Sequence, residues 1–339
     1  MQEPAKQKPK IKIMKTPLTT LPRFASLMFR AAFKRDNITQ LPPTFDDLPK
    51  LSLSFAPTHL LDSSIKQFHA VTRWQSDHLH PCYLHVVSFP MHLMLMLQKD
   101  FPFALLGLVH INNEITQYRP VRVSEACVFR CYFKEMKPHA KGIVFSIATD
   151  VHVNGELCWS SVSSNLYRST KFNPLNKEST PANEASTGLK WGVQSQQMWQ
   201  LNSGLGRDYA RASGDFNPIH LSKLSARLFG FKHAIAHGMW SKSRCLSALE
   251  QITPDLFVQP FNTQVQFIKP AMLPSRVVFS QYEADHSKAD DVGTNKDVGT
   301  IEEVNKKGVS NNTLKRAMKF SLKSQTTGAP HLTGEVQSI

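Results

Sequence analysis

The feature that most constrains the fold is a repeat: two ten-residue stretches, 150 positions apart, follow the same pattern. Asn112–Val121 reads NNEITQYRPV and Asn262–Ala271 reads NTQVQFIKPA. Each alternates apolar and polar residues and then reaches a basic residue followed by proline. Period-two alternation is typical of half-buried antiparallel strands, and similarity at a long separation indicates an internal duplication. The chain is therefore expected to contain two copies of one strand-rich unit.

An apolar helix candidate precedes each repeated segment. Leu84–Leu97 precedes the first segment, and Met239–Ile252 precedes the second. In the second candidate, an apolar stripe falls at helical spacing on Cys245, Ala248, Leu249 and Ile252. Both segments are therefore interpreted as buried helices.

Further strand-like runs follow each helix, at Val121–Phe133 and at Ser275–Tyr282. One long helix and a set of antiparallel strands, given twice, predict an α+β fold. Each half is expected to be an antiparallel sheet wrapped around its central helix.

The length of 339 residues fits two domains of roughly 150 residues each. Stretches of polar or basic composition divide the chain. The predicted segments are a basic leader at 1–35, a first unit at 36–171, a linker at 172–188, and a second unit at 189–339 with a polar insertion at about 283–312.

Composition and cysteine usage narrow the class of protein. Hydrophobic content of 41% and charged content of 19% are typical of a globular protein. The apolar run around 84–97 contains His and Pro and is shorter than the ~20 residues of a membrane span. The five cysteines are odd in number and scattered, so we expect reduced thiols in the cytoplasm, with neither disulfides nor zinc.

The formal net charge of +14 is unevenly distributed. Residues 1–35 contain nine Lys or Arg and one acid, which is more than half of the excess. Whether this leader is a targeting segment stays open, because it is rich in Lys and contains Pro, whereas transit peptides favour Arg. No nucleic-acid-binding motif accompanies the charge, so a phosphorylated ligand or an acidic carrier protein is the expected partner.

A stiff polar turn lies in the second half. Residues 209–220 read YARASGDFNPIH, in which Gly214 permits an unusual backbone angle and Pro218 fixes the chain. The turn presents Asp215 and His220, which both exchange protons near neutral pH. Asn217 can bond backbone groups across the turn. Taken alone, this pattern fits a helix-capping loop as well as a catalytic pair.

The sequence HGM supplies a second element, because Gly238 stands at the expected start of the long helix. The first N–H groups of a helix lack partners, and the helix dipole is positive there. A glycine lets a carbonyl oxygen approach such an N–H, as in an oxyanion site. The alternative is that Gly238 only permits tight packing.

Together, YARASGDFNPIH and HAIAHGM resemble the signature of the MaoC-like dehydratase, or (R)-specific enoyl-CoA hydratase (hydratase 2), family. The resemblance extends over nearly the whole chain from about residue 20 and includes similarity to bacterial two-hotdog members. It implies a tandem hotdog fold and the reversible syn hydration of trans-2-enoyl thioesters to (3R)-hydroxyacyl thioesters in fatty acid metabolism.

The resemblance also implies roles for matching residues. Asp215 and His220 match the catalytic acid/base pair, which is expected to hold one water. Gly238 matches the residue whose N–H binds the thioester carbonyl, and Asn217 matches a position that shapes the turn. No metal and no redox cofactor are implied.

The first half lacks the signature. Its nearest fragment, WQSDHLHP, has a different order and no Gly, so Asp77, His78 and His80 are interpreted as loop residues. The resemblance implies that a degenerate half leaves room for a long acyl chain. Flexible methionines suit such a role, and the first helix offers Met91, Met94 and Met96.

Candidate substrate contacts lie beside the signature. Asn217, Met239, Lys242 and Arg244 are predicted to bind substrate, with the two cations meeting the phosphates of coenzyme A or an acidic acyl carrier protein. Lys223, Arg227 and Lys232 also flank the signature, and a solvated rim is the alternative for all these cations. Chain length, carrier and direction stay open. Two hotdogs in one chain permit a monomer or a homodimer.

Two other functions are weighed against the hydratase. One is a non-catalytic acyl-thioester-binding or scaffold subunit, which would gain little from a stiff acid/base turn. The other is a hotdog thioesterase, which would need a carboxylate on the long helix. Glu250 is the only acid there and lies late in it.

Overall fold

The structure is a computed structural model, and it describes residues 12–14, 16–39, 42–170, 191–284 and 317–339. The first half is built from strands β1 to β6 and helices α1 to α3. Their bounds are β1 Lys12–Ile13, α1 Phe24–Phe33, β2 Leu51–Phe55, α2 Asp62–Thr72, α3 Pro81–Met96, β3 Val109–Gln117, β4 Cys127–His139, β5 Gly142–Val153 and β6 Glu156–Arg168.

The second half repeats this arrangement with an additional set of short elements before its long helix. The bounds are β7 Trp191–Leu201, α4 Leu205–Ser213, α5 Pro218–Leu221, α6 Lys223–Arg227, β8 Ala234–Ile235, α7 Gly238–Ile252, α8 Pro254–Phe257, β9 Phe261–Phe267, β10 Met272–Leu273, β11 Ser275–Ala284, β12 Ala317–Ser324 and β13 Pro330–Ser338.

Eleven of these strands form one sheet, in the order β1-β2-β4-β5-β6-β3-β9-β13-β12-β11-β7. The two halves join where β3 pairs with β9 in antiparallel register. Glu114 lies opposite Gln264 in that register, and these positions are also equivalent under the 150-residue repeat. The repeat therefore corresponds to an approximate two-fold relation centred on the β3–β9 junction, and the expected α+β architecture is confirmed.

The long helices α3 and α7 are buried against the sheet, as expected from their apolar sequences. Two helices of the chain begin with the same device, a capping side chain followed by proline at the first helical position. His80 accepts from Cys82 N before Pro81 in α3, and Asn217 accepts from Ile219 N before Pro218 in α5. Both helix starts are thus determined by local sequence.

One local expectation was wrong. Strand β4 begins only at Cys127, because the preceding residues turn at Arg122–Glu125, where the Glu125 carboxylate accepts from Arg122 N. In the second half, Leu228 and Phe229 follow α6 and are exposed by 85% and 43%. Gly230, which comes next, has a positive φ of 84°.

The described part of the predicted leader is folded onto the first half. Strand β1 pairs with β2, and Leu27 and Ala31 of α1 are buried in the core. Residues 1–11 and the predicted linker at 172–188 lie outside the described residues. So does most of the predicted insertion at 283–312, which falls between the adjacent antiparallel strands β11 and β12.

All five cysteines are unpaired and buried; the expectation of reduced thiols stays a prediction. In the part of the chain that the structure describes, no helix is both long and apolar enough to cross a membrane.

Candidate active site

The polar turn of the second half connects α4 to α5. Gly214 ends α4 with φ 75°, a left-handed conformation that glycine adopts readily. The Asp215 carboxylate accepts from Asn217 N at 3.1 Å, and the Asn217 side chain accepts from Ile219 N at 3.4 Å. Asn217 therefore holds the turn through backbone contacts, and it presents Asp215 in front of α5.

His220 lies on α5 and is held in one tautomer. Its Nδ1 lies 2.8 Å from the carbonyl oxygen of Ile235, and a carbonyl can only accept, so Nδ1 carries the proton. The other ring nitrogen, Nε2, is left as an acceptor. The ring is 8% exposed, whereas the Asp215 side chain retains 23% exposure.

His237, which precedes α7, completes the group. It donates from Nε2 to the backbone carbonyl of Asp215 at 3.0 Å, and its ring stacks on His220 with centroids 3.7 Å apart. Tyr209 of α4 packs on the other side of the cluster, 4.7 Å from the His237 ring. One ligand-type atom each of Asp215, His220 and His237 lies within 4.8 Å of the others.

Burial controls the protonation of this group. Removal from water raises the pKa of the Asp215 carboxyl, and the adjacent His220 opposes the rise. The same loss of water lowers the pKa of His220, against the attraction of Asp215. Burial and His220 hold the pKa of His237 well below its ordinary value. Both imidazoles are therefore neutral near pH 7, and the carboxyl is more basic than in water.

Gly238 is the first residue of α7, so its N–H belongs to the unpaired donors of the helix start. The position is crowded on one side, because a Cβ there would lie 3.1 Å from the Phe267 ring. That ring is 4.9 Å from His110 of the first half. The helix start therefore faces the junction between the two halves, next to His237.

The predicted substrate-binding residues separate into different environments. Met239 is half-buried beside Gly238. Lys242 has no exposed surface and donates to Asn113 and to the carbonyl of Thr263. Arg244 is 4% exposed and lies in a different cavity from Asp215. The alternative that Lys242 and Arg244 belong to a solvated rim is therefore wrong. The prediction that Lys242 binds a phosphate is also wrong, because this side chain is fully enclosed. Lys223, Arg227 and Lys232 are exposed.

Two residues that the sequence analysis did not single out contact Asp215 or His220. The first is His237, whose place in HGM was visible but whose contact with Asp215 was not. The second is Gly206 of α4, which packs against the backbone of α5. A Cβ at Gly206 would lie only 1.8 Å from the carbonyl oxygen of His220. A lone glycine inside a helix was the only available signal.

The candidate residues of the first half lie just before α3 or on it. His80 caps α3, and its Nε2 lies 3.0 Å from the carbonyl of Ser243 in α7. His78 is buried and Asp77 is exposed. Met91 and Met96 are buried in the core, and Met94 is partly buried against it. The hypothesis that these methionines make room for an acyl chain stays a prediction.

Asp215, His220 and His237 are also the residues that could hold a metal ion, because each offers a ligand atom. However, a metal on His237 Nε2 would displace its hydrogen bond to Asp215. One water bonded to two groups at about 2.8 Å and a tetrahedral angle spans roughly 4.6 Å. Atoms within 4.8 Å of one another are close enough for one water to bridge two of them. The expectation of no metal stays a prediction.

The sheet consists of two halves, each wrapped around a long helix, which is the double hotdog architecture. Asp215 and the neutral His220 lie beside the start of α7, an arrangement that fits the hydratase class of this fold. Comparison with known proteins agrees. A model of the MaoC like domain matches residues 193–306. The 3-hydroxyacyl-thioester dehydratase X of Mycobacterium tuberculosis is 30% identical over 244 residues, which cover 72% of this chain and 84% of that protein.

Solved structures share the architecture. HtdX of Mycobacterium tuberculosis superposes with a TM-score of 0.61 at 25% identity, over 85% of this chain and 100% of that one. The MaoC-like dehydratase of Phytophthora capsici gives 0.58 at 13% identity, over 85% and 95% of the two chains. A further M. tuberculosis protein, described as a double hotdog, gives 0.51 at 12% identity, over 88% and 98%. The chain belongs to the MaoC-like dehydratase family.

Proposed function

We propose that this chain is a hydro-lyase that interconverts trans-2-enoyl and (3R)-hydroxyacyl thioesters in fatty acid metabolism, with Asp215 and His220 as its acid/base pair. The proposal is supported by family membership and by the relative named 3-hydroxyacyl-thioester dehydratase. The observation that carries the assignment of residues is the tautomer of His220. Because Nδ1 donates to the Ile235 carbonyl, Nε2 is unprotonated and can accept a hydrogen bond from a water molecule.

This tautomer explains how the pair would activate water. A water between Asp215 and His220 donates one hydrogen to the carboxylate and the other to Nε2, so its lone pair points toward the substrate. Asp215 takes a proton as the oxygen attacks C3 of the enoyl thioester. The pair returns a proton to C2 on the same face, so that H and OH are added. Dehydration is the reverse.

Gly238 would stabilise the charge that develops on the thioester. As C3 is attacked, electrons move onto the carbonyl oxygen and form an enolate. The unpaired N–H of Gly238 at the start of α7 is a preorganised donor for that oxygen, and the helix dipole adds to its effect. The absence of a side chain at Gly238 accommodates the Phe267 ring, which a Cβ there would meet at 3.1 Å.

The alternatives receive less support from the same geometry. The Glu250 carboxylate of a thioesterase would have to reach the substrate, but it is 4% exposed and accepts from Ser76 Oγ at 2.5 Å. A binding subunit would not require the raised pKa of Asp215 or the fixed tautomer of His220. The proposal has three further parts. The thioester carrier is coenzyme A or acyl carrier protein, the protein is a monomer or a homodimer, and its location is cytoplasmic.

The test follows the loss of enoyl-thioester absorbance with crotonyl-CoA and with a C8–C12 trans-2-enoyl-CoA. Native protein is expected to give the (3R) product, with or without a metal chelator, and Asp215→Asn is expected to lose about 100-fold or more in kcat. Asp208→Asn is the matched control, because Asp208 lies on α4 and pairs with Arg211 at the surface. If CoA and carrier-protein thioesters bind tightly but are not turned over, the protein is a binding module.

A further inference from the structure

A cavity of about 220 Å³ lies at the start of α4, at the opposite end of that helix from the acid/base turn. The end of α2, the end of β7, the start of α4 and the middle of α7 enclose it. Its lining contains two cations and no acidic residue: Val71, Arg73, Met198, Trp199, Gln200, Leu201, Asn202, Leu205, Trp240 and Arg244. None of these residues belongs to the Asp215–His220–His237 cluster.

The unusual group in this cavity is the Arg244 guanidinium. The residue is 4% exposed, and its Nη1 has no hydrogen-bond partner within the described residues. Burial and Arg73 lower the pKa of Arg244 to about 10, so the group is charged at neutral pH. A buried charge is normally paired or hydrogen-bonded, and Arg244 forms no ion pair with the described acids.

The contact that Arg244 does make covers only one face. Its guanidinium carbon lies 4.2 Å from the centroid of the Trp199 ring, which is a cation–π interaction. The ring fixes the plane of the guanidinium. It does not satisfy the N–H groups at the edge, which lie in that plane and require oxygen acceptors. The stacking therefore orients the edge without completing its hydrogen bonds.

Neighbouring groups add positive charge and amide groups. Arg73, the residue that ends α2, is exposed at the cavity. The amide oxygens of Gln200 and Asn202 accept from Arg276 Nε and Gly204 N. Both residues line the cavity. A cavity with two cations and no carboxylate is complementary to an anion.

We propose that this cavity is an anion-binding site, in which the edge of Arg244 binds a carboxylate or phosphate group and Arg73 supplies a second charge. The planar fork of arginine suits two oxygens of such a group. Trp199 holds the fork in place, and the side chains of Met198 and Leu205 provide apolar contact for the remainder of the ligand. The site stands independently of the proposed hydratase activity, because it shares no residue with the catalytic cluster.

Two of the five tryptophans, Trp199 and Trp240, line the cavity and report on it. Tryptophan fluorescence of the full chain is titrated with inorganic phosphate and, separately, with acetate, at ionic strength held constant with chloride. Native protein is expected to show a saturable change with at least one of them and a rise in melting temperature. Arg244→Met, which keeps length and removes charge, is expected to bind about tenfold or more weakly.

Arg73→Ala provides the variant that is safe for folding, because the Arg73 side chain is exposed and its hydrogen bonds are made by the backbone, from its N–H to Ala70 O and from Gln251 to its carbonyl. It is expected to weaken binding about threefold to tenfold, since one of two charges is lost. Asp215→Asn is expected to bind the anion as the native protein does. The proposal is overturned if neither anion gives a saturable change, or if Arg73→Ala and Arg244→Met both titrate like the native protein.

Competition distinguishes the two sources of such an anion. If the site receives a phosphate of the thioester carrier, free coenzyme A displaces inorganic phosphate in the same titration. If the site receives a separate small anion, coenzyme A leaves the phosphate titration unchanged. Both results support the site. The absence of turnover in the hydratase assay would not affect either of them, so failure of the proposed function and failure of this site are separately observed.

Discussion

The imidazole ring of His237 stacks on that of His220 at a centroid distance of 3.7 Å, with 26° between their planes. His237 also donates to the backbone carbonyl of Asp215. One side chain outside the acid/base pair thus contacts both members of it. From this relationship we infer a positioning role for His237, in which it holds the carboxylate and the imidazole together and covers one face of the His220 ring.

Replacement of His237 tests that role. His237→Ala removes both the stacking and the hydrogen bond to Asp215, and is expected to lower kcat about 10- to 100-fold, because small displacements of catalytic groups are costly. KM is expected to change less than threefold. The pKa of His220 should rise, because water enters beside it, and the kcat–pH profile reports that shift. His237→Gln, which offers an amide donor, should recover part of kcat; equal loss in both variants would count against positioning.

The pH dependence of hydration follows from Asp215. In the proposed mechanism the carboxylate form is the base, and burial raises the pKa of this carboxyl above its ordinary value. We therefore expect the acidic limb of kcat/KM to lie above pH 3.8, the usual value for Asp. A kcat/KM profile from pH 3.5 to 8 measures it. A limb at or below 3.8 would show that Asp215 is fully solvated in the free enzyme.

The raised pKa of Asp215 also means that its ionised form lowers the free energy of unfolding. A carboxyl whose pKa is raised in the folded state binds more protons folded than unfolded, so the free energy of unfolding falls as pH rises through that interval. Asp215→Asn removes the buried charge and keeps the shape. We expect the inactive variant to melt at a higher temperature than native protein at pH 7, and this gain to diminish below pH 4. Equal melting temperatures at both pH values would contradict this assignment.

The close packing of α4 on α5 is tested at Gly206. A methyl group there meets the His220 carbonyl oxygen at 1.8 Å and Leu273 Cδ1 at 3.5 Å, so Gly206→Ala must displace α5. We expect a loss of about 100-fold or more in kcat together with lowered melting temperature. Gly204→Ala, at the residue that precedes α4, is the matched control, because its Cβ would contact only side-chain atoms at 3.2 Å or more. Similar losses in both variants would contradict the argument.

Lys242 is expected to give stability a dependence on alkaline pH. Burial lowers its pKa to about 8 from 10.5, so the unfolded chain binds more protons between these values and stability rises with pH there. That contribution amounts to about 3 kcal/mol over the full interval. Denaturant unfolding at pH 7.5 and 10.5 measures it as the difference between native protein and Lys242→Met. A difference that does not change with pH would show that Lys242 keeps an ordinary pKa.

Short-range patterns determined much of this protein. Alternation and repetition predicted two equivalent strand–helix units. The structure adds that Glu114 and Gln264, which the 150-residue offset makes equivalent, pair with each other at the junction. The Asn217–Pro218 step specified a turn and a helix start. These features follow from backbone preferences of residues adjacent in sequence, and a single chain displays them directly.

Tertiary packing decided the rest. Helix α7 is buried through most of its length, so its sequence periodicity could not distinguish solvent-facing from enclosed cations, and Lys242 and Arg244 were misplaced at the surface. The contact of His237 with both members of the pair, and the approach of Gly206 to His220, depend on how α4, α5 and α7 meet. Such contacts join residues that are 14 to 22 positions apart in the sequence. They arise when separate helices pack together, and no local sequence pattern encodes that packing.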